Sequence, residues 1–397
     1  MEKLLAIHRQ LIENVTLEFK RFLFNQIDWN KHAIAIIGPR GVGKTTLLLQ
    51  KIRQDFYKDT SVLYVSLDNI YFNSHSLFDF AYDFYRIGGK VLFLDEVHKY
   101  PNWSQEIKNI YDSLPDMKIV FTGSSTLQLY KGFGDLSRRV KVYHLPGLSF
   151  REFIEFETKI SFPALSLAEI IENHTDIASE IVSKLKVFKY FPQYLRYGYY
   201  PFYKQDTSDF YFYLQNTVNT SVEVDLPSTT NIEFASVVKI KRLLSIITEI
   251  SPFKPNISEL AKKVDTSRAK LIEFLELLQR AGIIILLRAS TKGMAQMQKP
   301  EKIFLGNPNL LYALASDNPD KGTLRETFFI SQTTANHCVY YPKTGDFLVE
   351  DKWLFEIGGK TKTRKQIANQ SNAYIAADDI EIGMGNKIPL WLFGFLY

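Results

Sequence analysis

The sequence predicts an α/β fold built on a parallel sheet, and three observations carry that prediction. An apolar run, Ala33–Ile37, leads into Gly38-Pro39-Arg40-Gly41-Val42-Gly43-Lys44-Thr45 and then into a helix-like run at 46–52. That is a full G-x-x-x-x-G-K-[ST] match in the strand–loop–helix setting that identifies a P-loop. About fifty residues on, a second apolar run at 91–94 ends in Asp95-Glu96. Across residues 31 to 146 strand-like and helix-like stretches alternate, the grammar of a parallel sheet with helices on both faces. Strands are expected at 32–37, 61–67, 90–94, 118–122 and 140–145, with helices notably at 76–85 and 103–114. Ligands of such sheets bind at the carboxyl ends of the strands, where the loop, Asp95 and Glu96 all fall.

Each residue type in the loop has a physical task. The glycines let the backbone wrap so that successive N–H groups point inward at phosphate oxygens. The helix that follows adds the positive end of its dipole. Gly38, Pro39, Arg40, Gly41, Val42, Gly43, Lys44, Thr45 and Thr46 are therefore the expected nucleotide-binding residues. Lys44 supplies a point charge for the β- and γ-phosphates, while the Thr45 hydroxyl and Asp95 hold Mg²⁺. Glu96 is placed to orient or deprotonate an attacking water. The alternative is a glycine-rich turn followed by an unrelated acidic strand end. Two motifs agreeing in context and order argue against it, and the chain reads as a nucleoside triphosphatase. No Asn-Lys-x-Asp guanine motif is present, which favours ATP.

The bulk composition bounds the rest. A length of 397 residues suggests two to four domains, and 46% hydrophobic with 23% charged residues supplies a sizeable core. One cysteine, Cys338, excludes an internal disulfide and fits a reducing, cytoplasmic setting. With no cysteine cluster and seven scattered histidines, no zinc site is expected. The amino-terminal residues have charges spread through them and no signal-peptide core. No uncharged run is long enough to span a bilayer, so no membrane is expected as a partner. The net charge of +5 is weak evidence for an acidic partner.

Five regions follow from the pattern: an N-terminal helical segment at 1–30, the P-loop core at 31–150, a helical, aromatic-rich lid or linker at 151–230, a helix-turn-helix unit at 231–300, and a strand-containing region at 301–397.

The run LFLDEVHKYPNWSQEIKNIYDSLPDMKIVFTGSS, followed by DLSRRVKVYHLPGLSFREF, resembles one group of proteins. These are the prokaryotic AAA-type (AAA+) ATPases that join a P-loop domain to a winged helix and a C-terminal PD-(D/E)XK restriction-endonuclease-like domain. The resemblance is most specific between about residues 36 and 153. It implies a central P-loop strand, with the Asp-Glu strand not its immediate neighbour in sequence. It also implies a polar sensor after the strand ending FTGSS, with Ser124 first and Thr122 and Ser125 behind it; turn-forming residues are the other reading. An arginine finger is implied at Ser137-Arg138-Arg139, acting across a homo-oligomer boundary if supplied in trans. A solvated or ion-paired arginine pair is the other reading. Arg196 is a weak candidate for a second sensor.

Residues 256–282 read as a short helix, a turn at Asp265–Thr266 and a longer helix ended by Gly282, with capping-box spacing at Asn256 and Glu259. Leu271, Phe274, Leu275 and Leu278 recur at helical spacing and should face a core. The strand-like IIILLR and then TKG supply a strand and a wing tip. Ser267, Arg268 and Lys270 open the second helix, the part that enters a DNA groove in such units. Residues 231–300 hold 12 Lys/Arg against 6 Asp/Glu, the footprint of a nucleic-acid binder. Winged helices in ATPases also serve as lids and protein-docking surfaces, and that reading stays open.

In the last region Glu326, Asp346 and Glu356 have the layout of a nuclease metal site. Gly358 stands where the lysine of such a site belongs, so a degenerate site that binds metal without cleaving is the stronger expectation. Lys360 or Lys362 reaches in only if the local geometry changes. The leading expectation is an ATPase that repositions the basic unit and the nuclease-like region on DNA or a protein partner. A slow ATP-binding switch or scaffold is the alternative, and an ATP-gated nuclease the second alternative.

Overall fold

The structure is a computed structural model that describes residues 1–397 except 124–135, 137, 228–231, 291–298, 316–317 and 368–369, together with the side chain of residue 366. The chain divides into two compact units. The first comprises Met1–Gly147 with Glu223–Ile232, and the second Leu148–Val222 with Glu233–Tyr397.

The first unit carries the expected parallel sheet. Its strands are β1 (Ala33–Ile37), β2 (Val62–Ser66), β3 (Val91–Asp95), β4 (Lys118–Gly123) and β5 (Lys141–His144), each within about one residue of expectation. The order is β2-β3-β4-β1-β5, all parallel. The strand before the P-loop is interior, but β4 rather than β1 is the middle strand. β4 separates β1 from the Asp-Glu strand β3.

Every residue of β1 and β3 is buried, which explains why they read as unbroken apolar runs rather than alternating ones. Before the sheet come α1 (Glu2–Asn14) and the short α2 (Leu23–Gln26); α3 (Lys44–Asp55), α4 (Leu77–Arg86) and α5 (Trp103–Ser113) follow within it. On one face Ala35, Val65, Leu92 and Phe121 meet Leu77, Phe80 and Phe84 of α4 and Trp103 and Ile107 of α5. The α4 helix starts where Ser76 caps it, its side chain accepting the N–H of Asp79.

The α1 helix buries Leu4, His8 and Ile12 at four-residue spacing. His8 Nδ1 accepts the N–H of Tyr64 in β2 at 2.9 Å, a bond that only a neutral ring can accept. Burial lowers the His8 pKa from 6.5 to about 4. A folded-state pKa below the unfolded one stabilises fully above about pH 6.5 and is lost as pH falls through 4. Partly screened, that amounts to about 2 kcal/mol. The melting temperature is expected to drop between pH 6.5 and 4, and His8→Gln should flatten part of that drop in a thermal-melt series. His98, lowered by burial to about 3, contributes in the same direction.

In the second unit, helices α6 (Phe150–Thr158), α7 (Leu167–Lys184), α8 (Val187–Gln193) and α9 (Phe210–Thr220) share a core with the C-terminal residues. Phe150 packs on Phe191 and Phe395, while Ser149 Oγ and Arg151 Nε donate to the Tyr397 carbonyl at 2.7 and 2.9 Å. Helices α10 (Phe234–Ile250), α11 (Ile257–Lys263) and α12 (Arg268–Arg280) precede an antiparallel hairpin of β6 (Ile284–Leu287) and β7 (Lys302–Leu305). The side chains of Asn256 and Ser267 cap α11 and α12. Leu271, Phe274, Leu275 and Leu278 are all fully buried, as their spacing predicts.

Helix α13 (Lys321–Thr333) packs on a mixed sheet of β8 (Val339–Tyr340), β9 (Phe347–Val349), β10 (Trp353–Gly358), β11 (Ala373–Ala377) and β12 (Lys387–Pro389). β10, β11 and β12 run parallel, and β8 and β9 antiparallel. Among the described residues no helix is long and apolar enough to cross a membrane.

Candidate active site

The P-loop leaves β1 at Gly38 and enters α3 at Lys44. Gly41 and Gly43 have φ of 82° and 95°, a region that glycine alone enters freely. Gly38 is required for a different reason. A Cβ there would sit 2.1 Å from the Leu145 carbonyl oxygen, where the chain leaves β5. Gly38→Ala must therefore push two backbone segments apart, at about 1–3 kcal/mol. Its melting temperature and its nucleotide affinity, read by calorimetry, are both expected to fall. Arg21, buried, braces the loop from outside by donating to the Val42 carbonyl at 2.5 Å and to the Pro146 and Gly147 carbonyls at 2.8 Å.

Lys44 is buried and donates to the carbonyls of Gly38 (2.9 Å) and Pro39 (2.8 Å). Burial outweighs the pull of Glu96 and Asp95 and lowers its pKa to about 8. The Thr45 hydroxyl donates to Asp95 Oδ2 at 2.6 Å, and so does the Tyr64 hydroxyl at 2.9 Å. Thr122 Oγ1 bonds Asp95 Oδ1 and accepts the Glu96 N–H at 3.2 Å. Asp95 is thus gripped by three hydroxyls from β2, β4 and α3. Burial, with the charge of Glu96 second, raises its pKa above the ordinary carboxylate value.

Glu96 has φ 52° and ψ 41°, left-handed for a non-glycine residue. Such backbone costs on the order of 1 kcal/mol and persists where the surroundings fix it. Here the Thr122 hydroxyl anchors the Glu96 N–H, and His98 Nε2 stands 3.4 Å from Glu96 Oε2.

Tyr64, Arg21 and Asp225 have no motif that sequence reading could have used. Asp225 is the most distant, coming from the 223–232 segment, with only 3% of its side chain exposed. It holds Lys99 Nζ at 2.5 Å and Arg40 Nη1 at 3.4 Å, and lies 3.9 Å from His98 Nε2. A cavity of about 410 Å³, lined by Trp29, Phe56 and Lys90 among others, lies instead at the amino ends of β2, β3 and β4 and takes no part in this site.

Ser124 and Ser125, the first and third sensor choices, lie outside the described residues, as do Ser137 and the TKG wing tip. Thr122 is the sensor-strand residue brought to Asp95 and Glu96. Arg139 is engaged on its own chain, its Nε and Nη2 donating to Asp112 at 2.8 and 3.0 Å, while Arg138 is exposed. Arg196, in the second unit, lies over the Tyr312 ring.

Ser267 and Arg268 are exposed at the start of α12, whereas Lys270 Nζ bonds both carboxylate oxygens of Glu273 at 3.0 Å. Of the C-terminal carboxylates, Glu326 pairs with Lys302, and Asp346 Oδ2 accepts the Ile357 N–H at 2.7 Å. Fully buried Glu356 pairs with Lys362 Nζ at 2.7 Å. A Cβ on Gly358 would meet the Lys362 chain at 2.7 Å, so the Lys362 stem lies over the position where the expected lysine is missing. Lys362 reaches in without rearrangement; Lys360 is exposed. Among the described residues no three His, Cys, Asp or Glu side chains are grouped to hold a metal ion.

Residues 30–154 match the AAA domain family. The AAA match covers the whole parallel sheet, the P-loop and the Asp95-Glu96 strand end, and this part of the chain has a P-loop NTPase fold. Residues 188–321 match a domain of unknown function (DUF8612). No curated protein matches the chain. Among solved structures, AMPPCP-bound DnaA from Aquifex aeolicus is similar at 15% identity over 69% of this chain and 87% of that one, with a TM-score of 0.28. NtrX from Brucella abortus in complex with ADP is similar at 15% identity over 70% and 72%, TM-score 0.27. A katanin structure is similar at 15% identity over 46% and 68%, TM-score 0.25.

Proposed function

We propose that the AAA unit binds Mg-ATP and hydrolyses its γ-phosphate, and that this drives the second unit to act on DNA or a protein partner. The observation that carries the reading is the convergence of Lys44, Thr45, Asp95, Thr122 and Glu96 at the carboxyl ends of β1, β3 and β4. The donor set fits a magnesium ion: a hydroxyl and a carboxylate oxygen, both hard donors, lie 2.6 Å apart. Thr45 and Asp95 would hold it, and when bound it neutralises phosphate charge as a Lewis acid. Lys44 leaves its loop carbonyls for phosphate oxygens. Glu96 takes the proton of the attacking water, with Thr122 fixing its backbone. Arg138, exposed where Arg139 is engaged, is the better candidate for a finger reaching a neighbouring copy.

The second unit supports an output role. The order of helices α10 to α12 and the β6–β7 hairpin supports reading this region as a winged helix-turn-helix, and the basic excess over 231–300 suits nucleic acid. Ser267 and Arg268 are free of the Glu273 pairing that occupies Lys270. Lys302 and Lys362 already neutralise Glu326 and Glu356, so the nuclease-like region is proposed to dock rather than cleave.

Phosphate release with Mg-ATP, with and without duplex DNA at low and moderate salt, tests the reading. Release stimulated by DNA, falling steeply with salt, supports the DNA-coupled form. Release without any DNA effect supports a protein partner. Tight ATP binding without release would replace hydrolysis by a slow switch.

A further inference from the structure

Asp225 is a carboxylate taken almost wholly out of water, which is costly unless cations and donors surround it. Two cations that it holds come from opposite sides of the candidate site. Arg40 belongs to the P-loop, and Lys99 follows Glu96 by three residues. Asp225 therefore ties the loop that would grip phosphate to the loop that carries the proposed base. Between them stands His98, its side chain fully buried, within 3.4 Å of the Glu96 carboxylate and 3.9 Å of Asp225. Burial keeps the ring neutral, so it can hold Glu96 as a hydrogen-bond donor without a charge of its own.

We propose that Asp225 is a positioning residue for hydrolysis, fixing Glu96 through Lys99 and His98 and fixing the P-loop through Arg40. This rests on the reading of Glu96 as the base. Asp225 belongs to the first unit although Val222 and Glu233, on either side of its segment, belong to the second.

The electrostatics give a result that a merely structural role would not. Removing the Asp225 charge loosens Glu96, so turnover falls. It also leaves Arg40 and Lys99 without their carboxylate beside the P-loop, so a polyanionic nucleotide binds as well or better. A residue that only held the fold would weaken affinity and turnover together.

The test compares wild type, Glu96→Gln, Asp225→Asn, Lys99→Met and the Asp225→Asn/Lys99→Met double variant. Phosphate release and the dissociation constant of fluorescent Mg-ATP are measured on the full chain, with thermal melts alongside. Asp225→Asn is expected to lower kcat on the order of 10- to 100-fold, as small misplacements of a reacting group do. Its nucleotide affinity is expected to hold or tighten. The double variant should lose less than the product of the two single losses. If Asp225→Asn misfolds, Lys99→Met is expected to lower kcat likewise, and with one cation fewer beside the P-loop its nucleotide affinity weakens far less than its kcat falls. Unchanged kcat in both single variants, or affinity lost in step with kcat, overturns the proposal. No Glu96-dependent release in the wild type overturns the hydrolase reading, and this proposal with it; release intact in Asp225→Asn overturns this proposal alone.

Discussion

Glu96→Gln is expected to bind Mg-ATP as tightly as the wild type and to release phosphate at least about 100 times more slowly, the usual scale for removing a general base. The substitution keeps the shape of the side chain and its contact with His98. It also keeps the left-handed backbone at residue 96, because Thr122 holds that backbone through the main-chain N–H. Only the capacity to take a proton is lost. Measuring release and nucleotide affinity on the same preparation separates this from a binding defect. Equal turnover in the two proteins would assign the base elsewhere.

Lys44→Ala is expected to fail earlier, at binding. Its ammonium is buried against the Gly38 and Pro39 carbonyls. Hydrogen bonds to a charged group contribute about 1.5–3 kcal/mol each, so losing the phosphate contacts should weaken nucleotide affinity by about 100-fold or more. The fold should survive, since alanine is a good helix former at the first turn of α3. A titration of fluorescent nucleotide checks this, and unchanged affinity would show that the loop holds something other than phosphate. The two substitutions thus predict opposite patterns, one with binding and no turnover, the other with neither.

Much of the sheet was legible because its physics is local. Strands buried on both faces are short apolar runs, and a P-loop is a fixed spacing of glycines before a lysine. The buried stripe of α12 was legible for the same reason. What stayed hidden was chemistry assembled from far apart. Tyr64 looks like any aromatic in a strand, yet it donates to Asp95. Asp225 sits in an ordinary Val-Glu-Val-Asp stretch, 126 residues from the lysine it pairs with. Lys362 is one of several basic residues in a row, and only its path over Gly358 distinguishes it. By spacing alone Gly358 marks a lost lysine. The space over it is filled from four positions along, by a side chain that pairs with Glu356.

The first unit is discontinuous along the chain. A ribosome delivers the P-loop, all five strands and Glu96 well before Asp225. Domains generally fold as they emerge, amino-terminal part first, so the nascent sheet can close while helices α6 to α9 are still being made. During that interval Arg40, His98 and Lys99 lack their carboxylate. With Asp225 in the positioning role proposed for it, the nascent unit is expected to take nucleotide before it turns it over efficiently, because the segment that carries this carboxylate arrives only after helices α6 to α9.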